Sequence, residues 1–245
     1  MGSARKELPR LRRRERQRRT ELVVVVSVTV LALAGVVAYF VYEGRQQAAS
    51  QKPIILYVNQ GNGIVNVSGF GTLLNYMKSH GFNTVFFQAF REGELLFSPA
   101  TLGSFVNQTH RSQLKIFFAL YLTEASQRLP VSIFGLGEDG ISLDMPVADV
   151  NTTSQESFLT QLKADFGGVT AVTTSDMYSS LRPDLLVIET YGSNMQQYIR
   201  SGVIGSVGVF ETSSLEDYKS QFQYALQNSD GVMVFDYYGL QKAGY

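Results

Sequence analysis

Eight short β-branched and aromatic runs punctuate the chain from Pro53 onward, with amphipathic stretches between most of them. The runs are Ile54–Val58, Thr84–Phe90, Lys115–Leu122, Ile141–Met145, Val169–Thr173, Leu185–Glu189, Ser206–Glu211 and Val232–Asp236. Between them lie segments such as FGTLLNYMKSHG, SQESFLTQLKADFG, NMQQYIRSG and LEDYKSQFQYALQNS, whose apolar residues recur with helical spacing. Strands that alternate with helices are parallel neighbours joined by crossovers. Eight such units predict a (β/α)8, TIM-like barrel, with an open doubly wound sheet as the alternative. Residues 53–245 number 193, against roughly 250 for an ordinary eightfold barrel and roughly 200 at its lower limit. The barrel is therefore expected to be shortened. Thr123–Gly140 and Thr174–Asp184 are poor in helical pattern, and with nine residues after Asp236 an eighth helix is expected to be missing or replaced.

Helix-start chemistry agrees with this division. Thr153-Ser-Gln-Glu156, Ser193-Asn-Met-Gln196 and Ser213-Ser-Leu-Glu216 fit the capping box, in which a hydroxyl and a carboxyl or amide satisfy free N–H groups reciprocally. Ser98 before Pro99 reads as an N-cap followed by proline at the first helical position, and Gly81 as a helix stop. Gly135-Leu-Gly137-Glu-Asp-Gly140 has the G-x-G-x-x-G spacing, but it precedes a strand instead of following one, so it reads as a turn and not as a dinucleotide site.

Ahead of this region the chain changes character. Leu22–Tyr42, LVVVVSVTVLALAGVVAYFVY, is 21 residues without a charge. A hydrocarbon core of about 30 Å needs roughly 20 helical residues, so a single transmembrane helix is expected at 22–42, with Tyr39 and Tyr42 at its far interface. Residues 1–21 hold nine Lys/Arg against three acids and carry +6, which leaves 12 basic and 18 acidic residues, or −6, for the remainder. Basic flanks stay inside, so 1–21 reads as a cytoplasmic tail, 43–52 as a tether and 53–245 as an extracytoplasmic domain. The lipid bilayer is thus an expected partner. A cleaved signal peptide would have a shorter apolar core and a small-residue cleavage site, neither of which is present here.

The same arithmetic narrows the chemistry. An acidic body disfavours nucleic acid as a partner. The chain has no cysteine, which excludes disulfides, thiol catalysis and thiolate-held metals. Its two histidines do not stand at ligand spacing, and no G-x-S-x-G or Ser-His-Asp pattern is present. His80 falls at a helix end and His110 in a polar helical stretch. No cofactor or metal is expected.

Acids close four of the runs: Asp144, Glu189, Glu211 and Asp236. Working residues of α/β barrels stand at the carboxyl ends of strands. Period-2 alternation sets Leu185, Val187 and Glu189 on one face, likewise Val207, Val209 and Glu211, and Val232, Val234 and Asp236. Each acid is therefore expected at the rim of a barrel interior. Asn59, Gln88 and Tyr121 supply neutral partners from earlier strands. Crowded carboxylates ionise unequally, which yields a proton donor beside a nucleophile or base. The competing structural roles are helix capping, which suits Asp144 and Asp236, and salt bridges to Arg91 or Arg182.

The order LLNYMKSHGFNTVFFQAF, GELLFSPATL, FVNQTHRSQLKIFFALYL and DGVMVFDYYGL resembles the glycosyl-hydrolase-like TIM barrels over most of 53–245. The shared patterns are L-x-x-M-K-x-x-G-F-N-T-V in the first helix, H-x-x-x-L-K-I leading into the third strand and G-V-x-x-F-D-Y in the last strand. The resemblance implies carbohydrate as substrate class and Glu189, Glu211, Asp144 and Asp236 as catalysts. In the absence of tryptophan, Tyr121, Tyr191, Tyr237 and Tyr238 are the rings that would stack on a sugar. Asn66, Asn107 and Asn151 head N-x-S/T sequons. The expectation is a membrane-anchored glycoside-hydrolase-like protein, or alternatively an inactive barrel that binds glycan or a protein partner at the cell surface.

Overall fold

The computed structural model of the protein describes residues 51–60, 65–126, 128–176, 178–191, 197–209 and 214–244. The segment expected to cross a membrane, 22–42, lies outside the described residues, as do the basic tail and most of the tether. No helix among the described residues is long and apolar enough to cross a membrane.

The eight barrel strands are β1 (Ile54–Val58), β2 (Thr84–Arg91), β3 (Lys115–Tyr121), β4 (Gly140–Asp144), β5 (Val169–Thr174), β6 (Leu185–Glu189), β7 (Ile204–Gly208) and β8 (Val232–Phe235). Each pairs in parallel with the next, and β1 pairs with both β2 and β8, so the sheet closes. Closure removes every edge of the barrel sheet. The shortened TIM-like barrel expected from the sequence is the observed architecture, and the open sheet is excluded.

Five helices are described: α1 (Phe70–Ser79), α2 (Pro99–Arg111), α3 (Thr152–Asp165), α4 (Leu215–Asn228) and α5 (Tyr237–Lys242). Among the described residues, the connection after β3 carries only a 3₁₀ turn at Val131–Ile133, and that between β5 and β6 carries no helix. A six-residue α5 stands where the eighth helix was expected to be missing or replaced. Ser98 caps α2 through the N–H of Thr101, with Pro99 at the first position. Gly81 (φ 77°) follows the end of α1 in the left-handed region, where a side chain would be strained. Two expected caps shift. Asn151, not Thr153, caps α3 through the N–H of Ser154, because an amide oxygen caps at least as well as a hydroxyl. Ser214 caps α4 through the N–H of Asp217, one residue beyond the expected box, and Ser213 lies outside the described residues.

The core has two layers. Ile55, Tyr57, Phe86, Phe117, Val187, Ile204 and Met233 fill the barrel, while a larger layer lies between strands and helices. At its floor Gly140 is indispensable, since a Cβ there would stand 2.2 Å from the Phe117 ring and 2.6 Å from the Val169 carbonyl oxygen. The expected facing of the last strands is corrected. Val207, Val232 and Val234 belong to the outer layer, and Met233 and Phe235 point inward. Every residue of β8 is apolar, so no polar residue marks one of its faces and periodicity alone leaves its register free.

Candidate active site

Alternation within β6 and β4 lifts two acids to the carboxyl-terminal rim. Leu185 and Val187 face the barrel interior, which brings Glu189 to the mouth by strand pleat. Asp144 ends β4 opposite Tyr121 of β3. A cavity of about 170 Å³ opens there, lined by Asn59, Gln88, Arg91, Tyr121, Asp144, Pro146, Glu189 and Phe235. Five residues chosen from sequence (Asn59, Gln88, Tyr121, Asp144 and Glu189) thus meet in one place.

Arg91 reaches the same mouth through an irregularity. The β2–β3 register shifts between Gln88 and Phe90. Gln88 lines the cavity, Phe90 joins the outer layer and Arg91 turns back to the cavity. A bulge re-aims the residues that follow it. Beyond it Glu92 (φ 52°) and Gly93 (φ 98°) turn the chain so that Glu94–Leu95 pairs antiparallel with the end of β2. Arg91 forms an ion pair with Glu92 at 3.1 Å and lies over the Tyr121 ring at 5.4 Å from its centroid. Arg182 instead donates to the carbonyls of Ser180 and Leu181.

Each mouth carboxyl group is held by a tyrosine. The Tyr57 hydroxyl donates to Asp144 Oδ2 at 2.5 Å, and the Tyr191 hydroxyl to Glu189 Oε1 at 3.2 Å. Among the described residues, Asp144 Oδ1 is buried without a hydrogen-bond partner. A third carboxylate, Asp149, accepts from the Tyr121 hydroxyl at 2.5 Å. Burial first, and then the Glu189 charge, push the Asp144 carboxyl up to about 7, with Asp149 adding to the rise and Tyr57 and Arg91 opposing it. Burial also raises Glu189, against the hydrogen bond from Tyr191 and with Asp149 adding. The Tyr57 and Tyr191 hydroxyls are pushed far up, chiefly by burial, so both remain donors. The site therefore holds a proton near neutrality on one carboxyl group beside a second carboxylate. Among the described residues no group of three His, Asp and Glu side chains is placed to hold a metal ion.

Other candidates stand elsewhere. Asp236 is 3% exposed and caps α5, its Oδ1 accepting from the N–H of Gly239 at 2.8 Å. It follows β8 instead of ending it, and it lines a separate groove of about 640 Å³ with Tyr238, Lys242 and Phe235. Tyr237 packs edge-on against Tyr76 of α1 and accepts from Gln241 Nε2, so it is a core residue. Glu211 lies outside the described residues, three positions beyond the end of β7. His80 sits at the end of α1, and His110 in the last turn of α2 bonds Asp139 at 2.9 Å. Asn66, Asn107 and Asn151 are exposed, but Asn107 lies within α2 with Thr109 of its sequon buried.

Sequence reasoning missed Tyr57 and Asp149, and named Arg91 only as a salt-bridge partner for the acids. Tyr57 shares the inward face of β1 with Ile55 and precedes Asn59 by one pleat, a signal that was readable. Arg91 depends on the bulge, and Asp149 lies in a loop without a pattern.

No family model and no curated protein matches the sequence. Solved structures do share the fold. A β-mannanase from Streptomyces thermolilacinus superposes with a TM-score of 0.54 at 13% identity, over 76% of this chain and 79% of that one. A GH113 β-1,4-mannanase gives 0.53 at 7% identity, over 76% and 88%. The catalytic domain of a mannanase from Streptomyces sp. SirexAA-E gives 0.51 at 12%, over 74% of each chain. The likeness to glycoside-hydrolase TIM barrels suggested by the sequence is therefore present in three dimensions, as a likeness of fold.

Proposed function

We propose that the protein is a glycoside hydrolase that acts on surface or environmental carbohydrate through Asp144 and Glu189. The observation that carries this reading is the placement of both carboxyl groups on one barrel-mouth cavity, where burial raises both and the Glu189 charge strengthens the hold of Asp144 on its proton. Glycoside cleavage needs one carboxyl group that donates a proton to the departing oxygen and one carboxylate that attacks or activates water. Asp144, the more deeply buried of the two, is the donor. Glu189 is the base or nucleophile. Gln88 and Asn59 offer polar contacts to sugar hydroxyls, and Phe235 forms an apolar wall.

The membrane location belongs to the same proposal and rests on sequence. The uncharged run 22–42 follows a +6 segment, so the barrel is carried on the far side of a bilayer by a single helix. Protease treatment of intact cells tests it: loss of the barrel with retention of the tail is expected, and a protected barrel refutes the topology.

The enzymatic reading is tested with the full chain in nanodiscs and a glycan panel headed by β-mannan, with products read by chromatography. Asp144→Asn and Glu189→Gln are each expected to reduce turnover by about 10²–10⁴-fold while the fold persists. Cleavage unaffected by both substitutions sinks the assignment.

A further inference from the structure

Tyr57 is fully buried, and its hydroxyl has one partner, Asp144 Oδ2. A buried hydroxyl hydrogen without an acceptor costs about 1–3 kcal/mol. That hydrogen therefore stays on the line to Oδ2, and Oδ2 is occupied as an acceptor. The second oxygen, Oδ1, is buried without a partner among the described residues, and Asp144 lines the mouth cavity. A protonated carboxyl group carries its hydrogen on one oxygen only.

We infer that Tyr57 is a positioning residue that directs the titrating proton of Asp144 onto Oδ1, so that the carboxyl group presents an O–H donor to an acceptor oxygen bound in the cavity. The proton placement stands on hydrogen-bond geometry alone. Its catalytic consequence, delivery of that proton to a departing glycosidic oxygen, rests on the reading of the preceding section. In such a step the C–O bond breaks, the bridging oxygen keeps the bonding electron pair and takes the Oδ1 proton, the anomeric carbon is bonded by Glu189 or by a water whose proton Glu189 accepts, and Asp144 is left as a carboxylate whose Oδ2 already holds the Tyr57 hydrogen bond.

The groups facing Asp144 fit this division of labour. Glu189 from β6 and Asp149 from the loop after β4 are acidic and favour a protonated Asp144, whereas Arg91 from β2 opposes them. The Tyr121 hydroxyl is taken by Asp149 and that of Tyr191 donates to Glu189. Tyr57 is thus the hydroxyl that distinguishes the two oxygens of Asp144.

Infrared difference spectroscopy on the full chain in nanodiscs tests the inference without a substrate. At pH 6 a protonated-carboxyl C=O band, identified by its loss in Asp144→Asn, is expected. With the proton on Oδ1 the carbonyl oxygen is Oδ2, which accepts from Tyr57. Tyr57→Phe then moves the band to higher frequency and raises the pH at which it disappears, because a hydrogen bond that favours the ionised form is gone. 3-Fluorotyrosine at position 57, a stronger donor that keeps the ring in place, moves the band the other way. A band unmoved by both changes places the proton on Oδ2 and overturns the inference, as does the absence of an Asp144-dependent band at pH 6. A shifted band in a protein that cleaves no glycan leaves the proton placement intact and removes the glycosidase reading. An unmoved band in an active hydrolase does the reverse.

Discussion

Gln88 Oε1 accepts the backbone N–H of Gln60 across 3.0 Å, and this contact decides which end of the amide faces the barrel mouth. Gln88 is 1% exposed and lines the cavity, so its Nε2 is the group left to donate to a ligand. Gln88→Glu keeps the shape and the bond to Gln60 but replaces the donor by an acceptor and adds a further carboxylate beside Asp144, Glu189 and Asp149. The loss of a buried hydrogen bond is worth about 1 kcal/mol or more, and the charge raises Asp144 further. A KM for glycan cleavage increased about tenfold, with the alkaline limb of the rate profile moved to higher pH, is the expected outcome. An unchanged KM removes Gln88 from ligand recognition.

Asp144 makes stability depend on pH with a definite sign. Its carboxyl is raised from the ordinary 3.8 to about 7 in the folded protein. The folded state therefore binds more protons than the unfolded state between those values. The contribution is fully present below about pH 4, declines as pH rises toward 7 and is lost above it. Three pK steps correspond to about 4 kcal/mol, at roughly 1.4 kcal/mol per step. Asp144→Asn removes the titration while its amide oxygen still accepts from Tyr57. The variant should match the wild type in Tm near pH 4 and exceed it by several degrees at pH 8, as thermal scans across that range would show. A Tm difference that stays constant with pH would mean that Asp144 does not titrate there.

The parts of this molecule legible in the sequence are those set by local chemistry. Ser98-Pro99 and Gly81 bounded helices correctly, because capping and left-handed backbone depend on a few neighbouring residues. β1 and β6 were bounded to the residue, and Glu189 was placed at the mouth because Leu185 and Val187 alternate with it. The failures have a common cause. In β8 the outward Val232 and Val234 and the inward Met233 are all apolar, so nothing local distinguishes Val234 from Met233, and of the two roles open to Asp236, rim acid and helix cap, it takes the cap. Arg91 reaches the cavity only after a one-residue bulge opposite β3, and Asp149 only because the loop after β4 folds back to the Tyr121 hydroxyl. Both are tertiary events without a local signature.

Lys52 fastens the start of the barrel to the end of α4. Its Nζ donates to the carbonyls of Leu226 at 3.0 Å and Ser229 at 2.7 Å, groups that the helix itself leaves without partners. The last turn of α4 holds no basic residue of its own, so Lys52 also supplies the positive charge that the helix dipole favours there. Lys52→Met keeps the aliphatic stem and removes the donor. A loss of about 1 kcal/mol, read as a Tm lower by a few degrees with glycan turnover unchanged, is expected. Wild-type stability in the variant would show that water satisfies those carbonyls equally well.

Asp236 separates a cap from a catalyst. Its Oδ1 closes the first turn of α5 through Gly239, and α5 buries Tyr237 and Leu240 against the barrel. Removal of an N-cap oxygen costs about 1 kcal/mol, and serine replaces aspartate well in that role. Asp236→Ala should therefore lower Tm by a few degrees, and Asp236→Ser should restore most of the loss. Chemistry answers differently, since a hydroxyl does not stand in for a carboxylate in proton transfer or attack. Turnover by Asp236→Ser within a few-fold of the wild type is the expected result. Full stability with turnover lost by about 10²-fold or more would return Asp236 to the catalytic set and displace Asp144 or Glu189 from it.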